Sequence, residues 1–203
     1  MTSNTETKVN HVSDKIRCYA LGAEKPSRYA HSIRVAETAV ILCKLYNVDP
    51  ELGYLAGLAH DICKEMDNDN LLSLAQTDGL EITSLEESKP SLLHGRGAAV
   101  LLEKQFDITE KSVLEAVRYH TFGAPGMSKL AQILYIADKI EPGRNYIVQE
   151  KMDYYYSLSL TNLLITVVSE NISWLENQGK KVAPISRSLL QELKKTFDKE
   201  NDV

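Results

Sequence analysis

Apolar residues recur at intervals of three to four positions along almost the whole chain of 203 residues. In the segment 27–46, Ile33, Ala36, Val40 and Ile41 fall on one face of a helix. We find no segment with the two-residue alternation that is typical of a half-buried strand. The pattern predicts an all-α fold, so any functional site must be built from side chains that helices and their connections present.

Helix start and stop signals divide this pattern into segments. Ser27, Thr109 and Ser128 predict N-caps, and Pro142–Gly143 predicts a helix end. The predicted helices cover 13–21, 27–46, 50–62, 67–77, 92–106, 109–120, 128–141, 147–177 and 186–199, with loops at 79–91 and 121–127.

The predicted helices indicate one domain with a short tail. Residues 1–12 are polar and predict a flexible N-terminal tail, which includes His11 without a partner. Residues 13–203 predict a single helical domain. Its last two helices, 147–177 and 186–199, predict a C-terminal helical extension packed against a bundle.

Charge and cysteine content exclude several classes of protein. A net charge of −5 argues against a surface for nucleic acid, which needs a basic stripe. The sequence contains no run of eighteen apolar residues, so it predicts no membrane span. Three cysteines without CxxC spacing predict reduced thiols and a cytoplasmic location.

Histidines and aspartates on apolar helical segments form a candidate metal site. His31 lies inside a predicted helix, His60–Asp61 at the end of an apolar one, and His94 and His120 near helix ends. Asp138 stands between apolar neighbours in LYIADKI. Each residue alone is compatible with a structural, hydrogen-bonded role. Together they predict a metal site, because buried imidazole and carboxylate groups need a partner and a helical bundle can bring them to one point.

The order of these residues resembles the H…HD…D motif of the HD-domain superfamily of metal-dependent phosphohydrolases. The segments RYAH, HDICK, LHG, RYHTFG and MSKLAQILYIADKIEPGR narrow the resemblance to the bacterial YqeK family, over roughly residues 25–190. The YHT-x-G and ADKIEPGR segments are its most specific parts. HDICK and TFGAPGM depart from the family pattern around residues that are otherwise matched.

This resemblance implies an HD-domain helical bundle that hydrolyses diadenosine tetraphosphate at its centre to give two ADP. The YqeK family consists of symmetrical bis(5′-nucleosyl)-tetraphosphatases that depend on iron. The resemblance therefore implies two bound metal ions. Iron is the implied metal, with manganese or zinc as alternatives. The implied ligands are His31, His60, Asp61, His94, His120 and Asp138, with Asp61 as the bridge.

The resemblance also implies the groups that act on the substrate. Asp61, Lys64 and Arg144 are the implied catalytic residues. The implied substrate contacts are Arg28, Lys64, Thr121, Gly123, Arg144 and Pro184. The expected partner is a dinucleoside polyphosphate or an ADP-like small molecule, not nucleic acid or a membrane, and a homodimer is compatible with the sequence.

Two other functions remain open. An HD-type nucleotidase for deoxynucleoside monophosphates, or an alarmone pyrophosphohydrolase, would use the same metal chemistry. A non-catalytic nucleotide-binding HD module would keep the helices, but the complete set of candidate ligands favours an enzyme.

Overall fold

The structure, a computed structural model, describes the backbone of residues 2–201 and the side chains of residues 12–197. This part of the chain folds into eleven α-helices and contains no strand, which confirms the all-α prediction. The helices are α1 (Thr2–Ala23), α2 (Pro26–Leu45), α3 (Pro50–Ala59), α4 (Asn68–Ala75), α5 (Ser84–Ser88), α6 (His94–Gln105), α7 (Lys111–Tyr119), α8 (Lys129–Ile140), α9 (Gln149–Ser157), α10 (Leu160–Asn177) and α11 (Pro184–Asn201).

The centre of the bundle is formed by α2, α3, α7 and α8. Helix α2 packs against α3 and α8, while α7 packs against α6 and α8. Gly57 permits the close crossing of α3 with α2, since a Cβ atom there would lie 2.5 Å from the Cα atom of Ala36. This crossing places the end of α3 beside the middle of α2.

The helix starts were predicted correctly in one of three places. Ser128 caps α8 by accepting a hydrogen bond from the Ala131 N–H. The Ser27 prediction was wrong, because α2 begins at Pro26, whose fixed φ suits a first turn. The Thr109 prediction was also wrong, because the Glu110 side chain caps α7.

Two predicted segments differ in the structure. The helix expected over 147–177 is two helices, because the backbone is extended at Leu158 and the Ser159 side chain caps α10. The loop expected over 79–91 contains α5, which begins with a capping box between Thr83 and Glu86, and a 3₁₀ turn at Pro90–Leu93.

The two ends of the chain also differ from the expected boundaries. Helix α1 begins at Thr2 instead of residue 13, so the backbone expected to form a tail is helical from residue 2. The side chain of His11 lies outside the described residues. Helix α11 begins at Pro184 instead of residue 186. The division into a tail at 1–12 and a domain at 13–203 stays a prediction.

Helices α10 and α11 form the expected C-terminal extension, with α10 packed against both α8 and α11. Leu163, Leu164 and Val168 of α10 are buried in the same core as the bundle. Among the described residues, none of the helices combines the length and apolar character that a bilayer crossing requires.

Candidate metal centre

Helix ends carry most of the side chains at the candidate site. His60 and His120 are the C-caps of α3 and α7, and His94 is the first residue of α6. His31 lies in the second turn of α2, and Asp138 lies in the last turn of α8. Each of these five residues therefore comes from a different helix or helix end, as the sequence predicted.

The orientation of three histidine rings is fixed in the same way. The Nδ1–H of His60 donates to the Gly57 carbonyl at 2.7 Å, that of His94 to Ser91 at 2.8 Å, and that of His120 to Val117 at 2.7 Å. Each acceptor lies three residues earlier in the chain. These contacts assign the proton to Nδ1, so the lone pair of each Nε2 points into the site.

Glu141 orients the fourth ring. His31 Nδ1 lies 3.1 Å from Glu141 Oε1, and Glu141 is held by Arg34 Nε at 2.5 Å and by the Gly143 N–H at 2.6 Å. The sequence analysis missed Glu141. Its spacing of three residues from Asp138, on the same side of α8, was the available signal.

The six residues predicted as metal ligands converge at one place. Their ligand atoms form two overlapping groups, within each of which all atoms lie within 4.8 Å of one another: His31, His60 and Asp138, and His60, Asp61 and His120. His94 joins the second group, since its Nε2 lies 3.0 Å from His120 Nε2 and 3.1 Å from Asp61 Oδ1.

The donor set at this centre fits a metal cation. His31 Nε2, His60 Nε2 and Asp61 Oδ1 are buried and have no hydrogen-bond partner. The Nε2 atoms of His94 and His120 face each other across 3.0 Å, although each ring already uses its proton at Nδ1. Bound cations at the two groups would satisfy the lone pairs of His31, His60, His120 and Asp61, whereas that of His94 also faces the Lys64 ammonium at 3.0 Å.

Burial and neighbouring charges set the protonation states of the site. Burial would lower the pKa of His31, but the Asp138 and Glu141 carboxylates that its ring contacts outweigh burial and raise this pKa. Burial lowers the pKa of His60 to about 3 and that of His94 to about 4, so both rings are neutral near pH 7. Burial raises the pKa of Asp61 and Asp138, but the neighbouring histidines, together with Lys139 at Asp138, outweigh it and hold both well below the ordinary value. The two carboxylates therefore remain charged.

Cationic side chains line a cleft of about 260 Å³ that also contains the candidate ligands Asp61, His94, His120 and Asp138. Arg28 Nη1 lies 2.9 Å from Asp61 Oδ2, Lys64 Nζ lies 3.0 Å from His94 Nε2, and Arg144 Nη2 lies 2.8 Å from Asp138 Oδ1. Thr121 and Lys139 also line this cleft, and only Lys139 was missed by the sequence analysis. Burial lowers the pKa of Lys64, although its ammonium faces carboxylates.

A first cavity of about 800 Å³ adjoins the cleft at Thr121. Its walls come from residues 80–86, 118–123 and 181–185, and they include Gly123 and Pro184. Gly123 has a φ of +67°, and a Cβ atom there would lie 2.5 Å from Leu189 Cδ2. Glycine is thus needed both for this backbone conformation and for the packing of α11.

Arg96 lines the first cavity but does not line the metal cleft. Its guanidinium donates to the carboxylates of Asp78 and Glu86 and to the carbonyl oxygens of Ala75, Leu80 and Glu81. This buried network fixes the segment between α4 and α5.

Comparisons with known proteins agree with this geometry. The family model described as "HD domain" matches residues 28–143. The chain is 32% identical to the symmetrical bis(5′-nucleosyl)-tetraphosphatase of Halalkalibacterium halodurans, over 77% of this chain and 83% of that protein. It is 39% identical to the protein of the same name from Staphylococcus aureus, over 58% and 60% of the two chains.

A solved structure has the same fold. A Clostridium acetobutylicum protein described as a "predicted HD superfamily hydrolase involved in NAD metabolism" superposes with a TM-score of 0.83 and 31% identity. The match covers 90% of this chain and 97% of that one, so it extends well beyond residues 28–143.

Proposed function

This chain belongs to the HD-domain family, and from that premise we propose that it is a metal-dependent hydrolase that cleaves diadenosine tetraphosphate symmetrically into two ADP. The names of its relatives from H. halodurans, S. aureus and Bacillus subtilis support this activity. The position of Asp61 between two sets of nitrogen donors is the structural observation that carries the proposal.

The two oxygens of Asp61 face different histidines. Oδ1 lies 3.1 Å from His94 Nε2 and 3.6 Å from His120 Nε2, whereas Oδ2 lies 3.7 Å from His60 Nε2. We propose that Asp61 bridges two divalent ions. His31, His60 and Asp138 would complete one coordination shell, and His94 and His120 the other.

We further propose that the ions are iron. Nitrogen and carboxylate donors of this kind suit iron, manganese and zinc, and the resemblance to the YqeK family favours iron among them. Two bound ions would lower the pKa of a water molecule and neutralise charge on the phosphate oxygens.

The cations of the cleft would hold the polyphosphate. Lys64, Arg144 and Arg28 point at the same cleft, where they can bind oxygens of the central phosphates. In the reaction, the oxygen of water bonds to one central phosphorus atom and the bond from that phosphorus to the bridging oxygen breaks. The bridging oxygen leaves on one ADP, and a proton of the water passes to that product or to solvent.

The first cavity would hold a nucleoside. Thr121 lies in the wall of both the cleft and this cavity, and we propose that the phosphate chain passes from one to the other beside it. Gly123 and Pro184, which the resemblance implies as substrate contacts, also line this cavity. The partner is thus proposed to be a dinucleoside polyphosphate, or ADP as the product.

We propose a cytoplasmic location from the cysteines. Cys18, Cys43 and Cys63 are free thiols, and burial raises the pKa of Cys43 and Cys63 to about 12. Unpaired thiols are typical of a reducing compartment. The homodimer stays a prediction.

The activity is tested by purifying the protein without oxygen, measuring its metal content and resolving the products formed from diadenosine tetraphosphate. Two metal ions per chain and ADP as the sole nucleotide product are expected. Equal amounts of ATP and AMP would contradict symmetrical cleavage. Metal without turnover would favour the nucleotidase or alarmone reaction, and absence of both would favour the non-catalytic module.

The bridging role is tested by Asp61→Ala, which should remove both turnover and bound metal. Asp153→Ala is the matched control, because Asp153 is an exposed aspartate that does not line the cleft. An Asp61→Ala protein that keeps two ions and full turnover would contradict the bridging assignment.

A further inference from the structure

A second cavity, of about 820 Å³, also adjoins the metal cleft. It shares Asp138, Lys139 and Arg144 with the cleft, whereas the first cavity shares Thr121. The cleft is therefore flanked by two cavities of nearly equal volume, one on each of two different walls.

The second cavity has the chemistry of a nucleobase site. Tyr146 and Trp174 line it although the two residues are 58% and 52% exposed, so neither ring is needed to fill the core. Lys180 Nζ lies 4.2 Å from the centroid of the Trp174 ring, so a base would stack on the other face of this ring or displace the Lys180 side chain. Asn171, Ser173 and Asn177 add amide and hydroxyl groups to the same wall. Aromatic faces beside hydrogen-bonding groups are what a purine base needs for stacking and recognition.

Positive charge extends from the cleft into this cavity. Arg144 lines both spaces and is held by the Asp138 carbonyl oxygen and carboxylate. Lys151 follows, with its Nζ 5.7 Å from the centroid of the Tyr146 ring and 3.0 Å from Glu170 Oε2. A phosphate chain that leaves the cleft on this side would keep cationic partners until it reaches the aromatic rings.

We propose that this second cavity binds the second nucleoside of the dinucleotide, with Trp174 as its stacking surface. The inference rests on the proposed function: a symmetrical substrate cut at its middle bond has identical halves on either side of the metal ions. A site for only one nucleoside would leave half of the substrate unbound, and the structure offers two cavities of matching size.

The tryptophan gives a direct readout in the unmodified protein. Trp174 is the only tryptophan in the chain, so the fluorescence of the holoenzyme reports on this cavity. The probe is diadenosine tetraphosphate with methylene in place of the central bridging oxygen, which cannot be cleaved there. Binding measured by calorimetry should be accompanied by quenching of Trp174. Binding without quenching would overturn the inference, and no binding would overturn it together with the proposed function.

A kinetic comparison provides the second test. Adenosine 5′-tetraphosphate has the same central bond but only one nucleoside. Trp174→Ala should lower kcat/KM for diadenosine tetraphosphate about tenfold more than for adenosine tetraphosphate, because one stacking surface is lost. Tyr154→Ala is the matched control, since Tyr154 is also 52% exposed but does not line the cavity.

The outcomes separate the two proposals. If the wild-type protein cleaves neither compound, the proposed function fails. If it cleaves both and Trp174→Ala lowers both values equally, Trp174 has a structural role and the second nucleoside site is overturned. The same conclusion follows if Trp174→Ala behaves like Tyr154→Ala.

Discussion

At the scale of single residues, the second nitrogen of each histidine ring is as important as the one that faces the centre. Three rings are held by backbone carbonyl oxygens within their own turn, whereas His31 depends on Glu141, which lies 110 positions away in sequence. The sequence identified the four rings because polar side chains on apolar helices stand out. The spacing of Glu141 from Asp138 could be read from the sequence, but its contact with His31 could not, because that contact exists only after α2 and α8 pack together.

Glu141→Gln should weaken metal binding by about 10- to 100-fold, because a neutral amide no longer increases the basicity of His31. Metal titration of the stripped protein measures the change. Glu37→Gln, at an exposed position of the same helix as His31, removes the same charge and should leave the affinity unchanged. Equal affinities for both variants would show that Glu141 does not support the site.

Glu24 should make folding stability depend on pH. Its carboxyl is buried and accepts a hydrogen bond from Ser32, and burial raises its pKa from 4.5 to about 7. The folded state thus holds a proton that the unfolded chain releases, so this contribution to stability is complete below pH 4.5 and is lost as the pH rises to about 7.

The free energy of unfolding of Glu24→Gln, relative to that of wild type, should therefore increase by on the order of 1–2 kcal/mol when the pH rises from 5 to 8. Urea unfolding of both metal-free proteins at the two pH values measures the difference. Glu87→Gln, at an exposed position, should show no such change. A constant difference between wild type and Glu24→Gln would show that Glu24 ionises normally in the folded protein.

At the scale of elements, periodicity predicted most helices, and local hydrogen bonding explains the errors. The break at Leu158–Ser159 interrupts a continuous apolar pattern, because a serine cap competes with the helix there. Helix α5 is only five residues long, too short to show a period. The sequence also did not predict the close crossing of α2 and α3, because it does not show that Gly57 faces the backbone of Ala36.

Gly57→Ala should destabilise the protein by about 2 kcal/mol or more, because its methyl group would collide with the backbone of Ala36 at 2.5 Å. It should also weaken metal binding, since His60 follows three residues later on the displaced helix. Urea unfolding and metal titration measure the two effects. Gly22→Ala has open space around it and should instead gain about 0.5–1 kcal/mol. Similar results for the two variants would argue against a tight crossing.

At the scale of the whole molecule, the candidate centre joins helices that are far apart in sequence. Its candidate ligands come from positions 31 to 138, so the unfolded chain has no comparable site. The sequence predicted this convergence because the helices were recognisable and their polar residues few. It did not predict the cavities, because their walls depend on how α9, α10 and α11 lie against the bundle.

Removal of the metal should therefore lower the melting temperature. A ligand at a thousandfold excess over its Kd stabilises the folded state by about 4 kcal/mol, which for a chain of this size corresponds to a change on the order of 10 °C. Calorimetry with and without a chelator measures the shift. The Asp61→Ala control should have the same melting temperature with and without the chelator. If the wild-type protein also melts at one temperature in both conditions, bound metal does not stabilise the fold.

The ends of α3 and α7 at the candidate centre have a consequence for metal choice. The carboxyl end of a helix carries partial negative charge, so two such ends surround this place with a potential that attracts cations. That attraction does not distinguish one divalent ion from another, and imidazole with carboxylate accepts several of them. The helix ends therefore add affinity for divalent cations in general, and iron, the proposed ion, should be replaceable: protein from cells grown with manganese in place of iron should hold manganese between the same side chains.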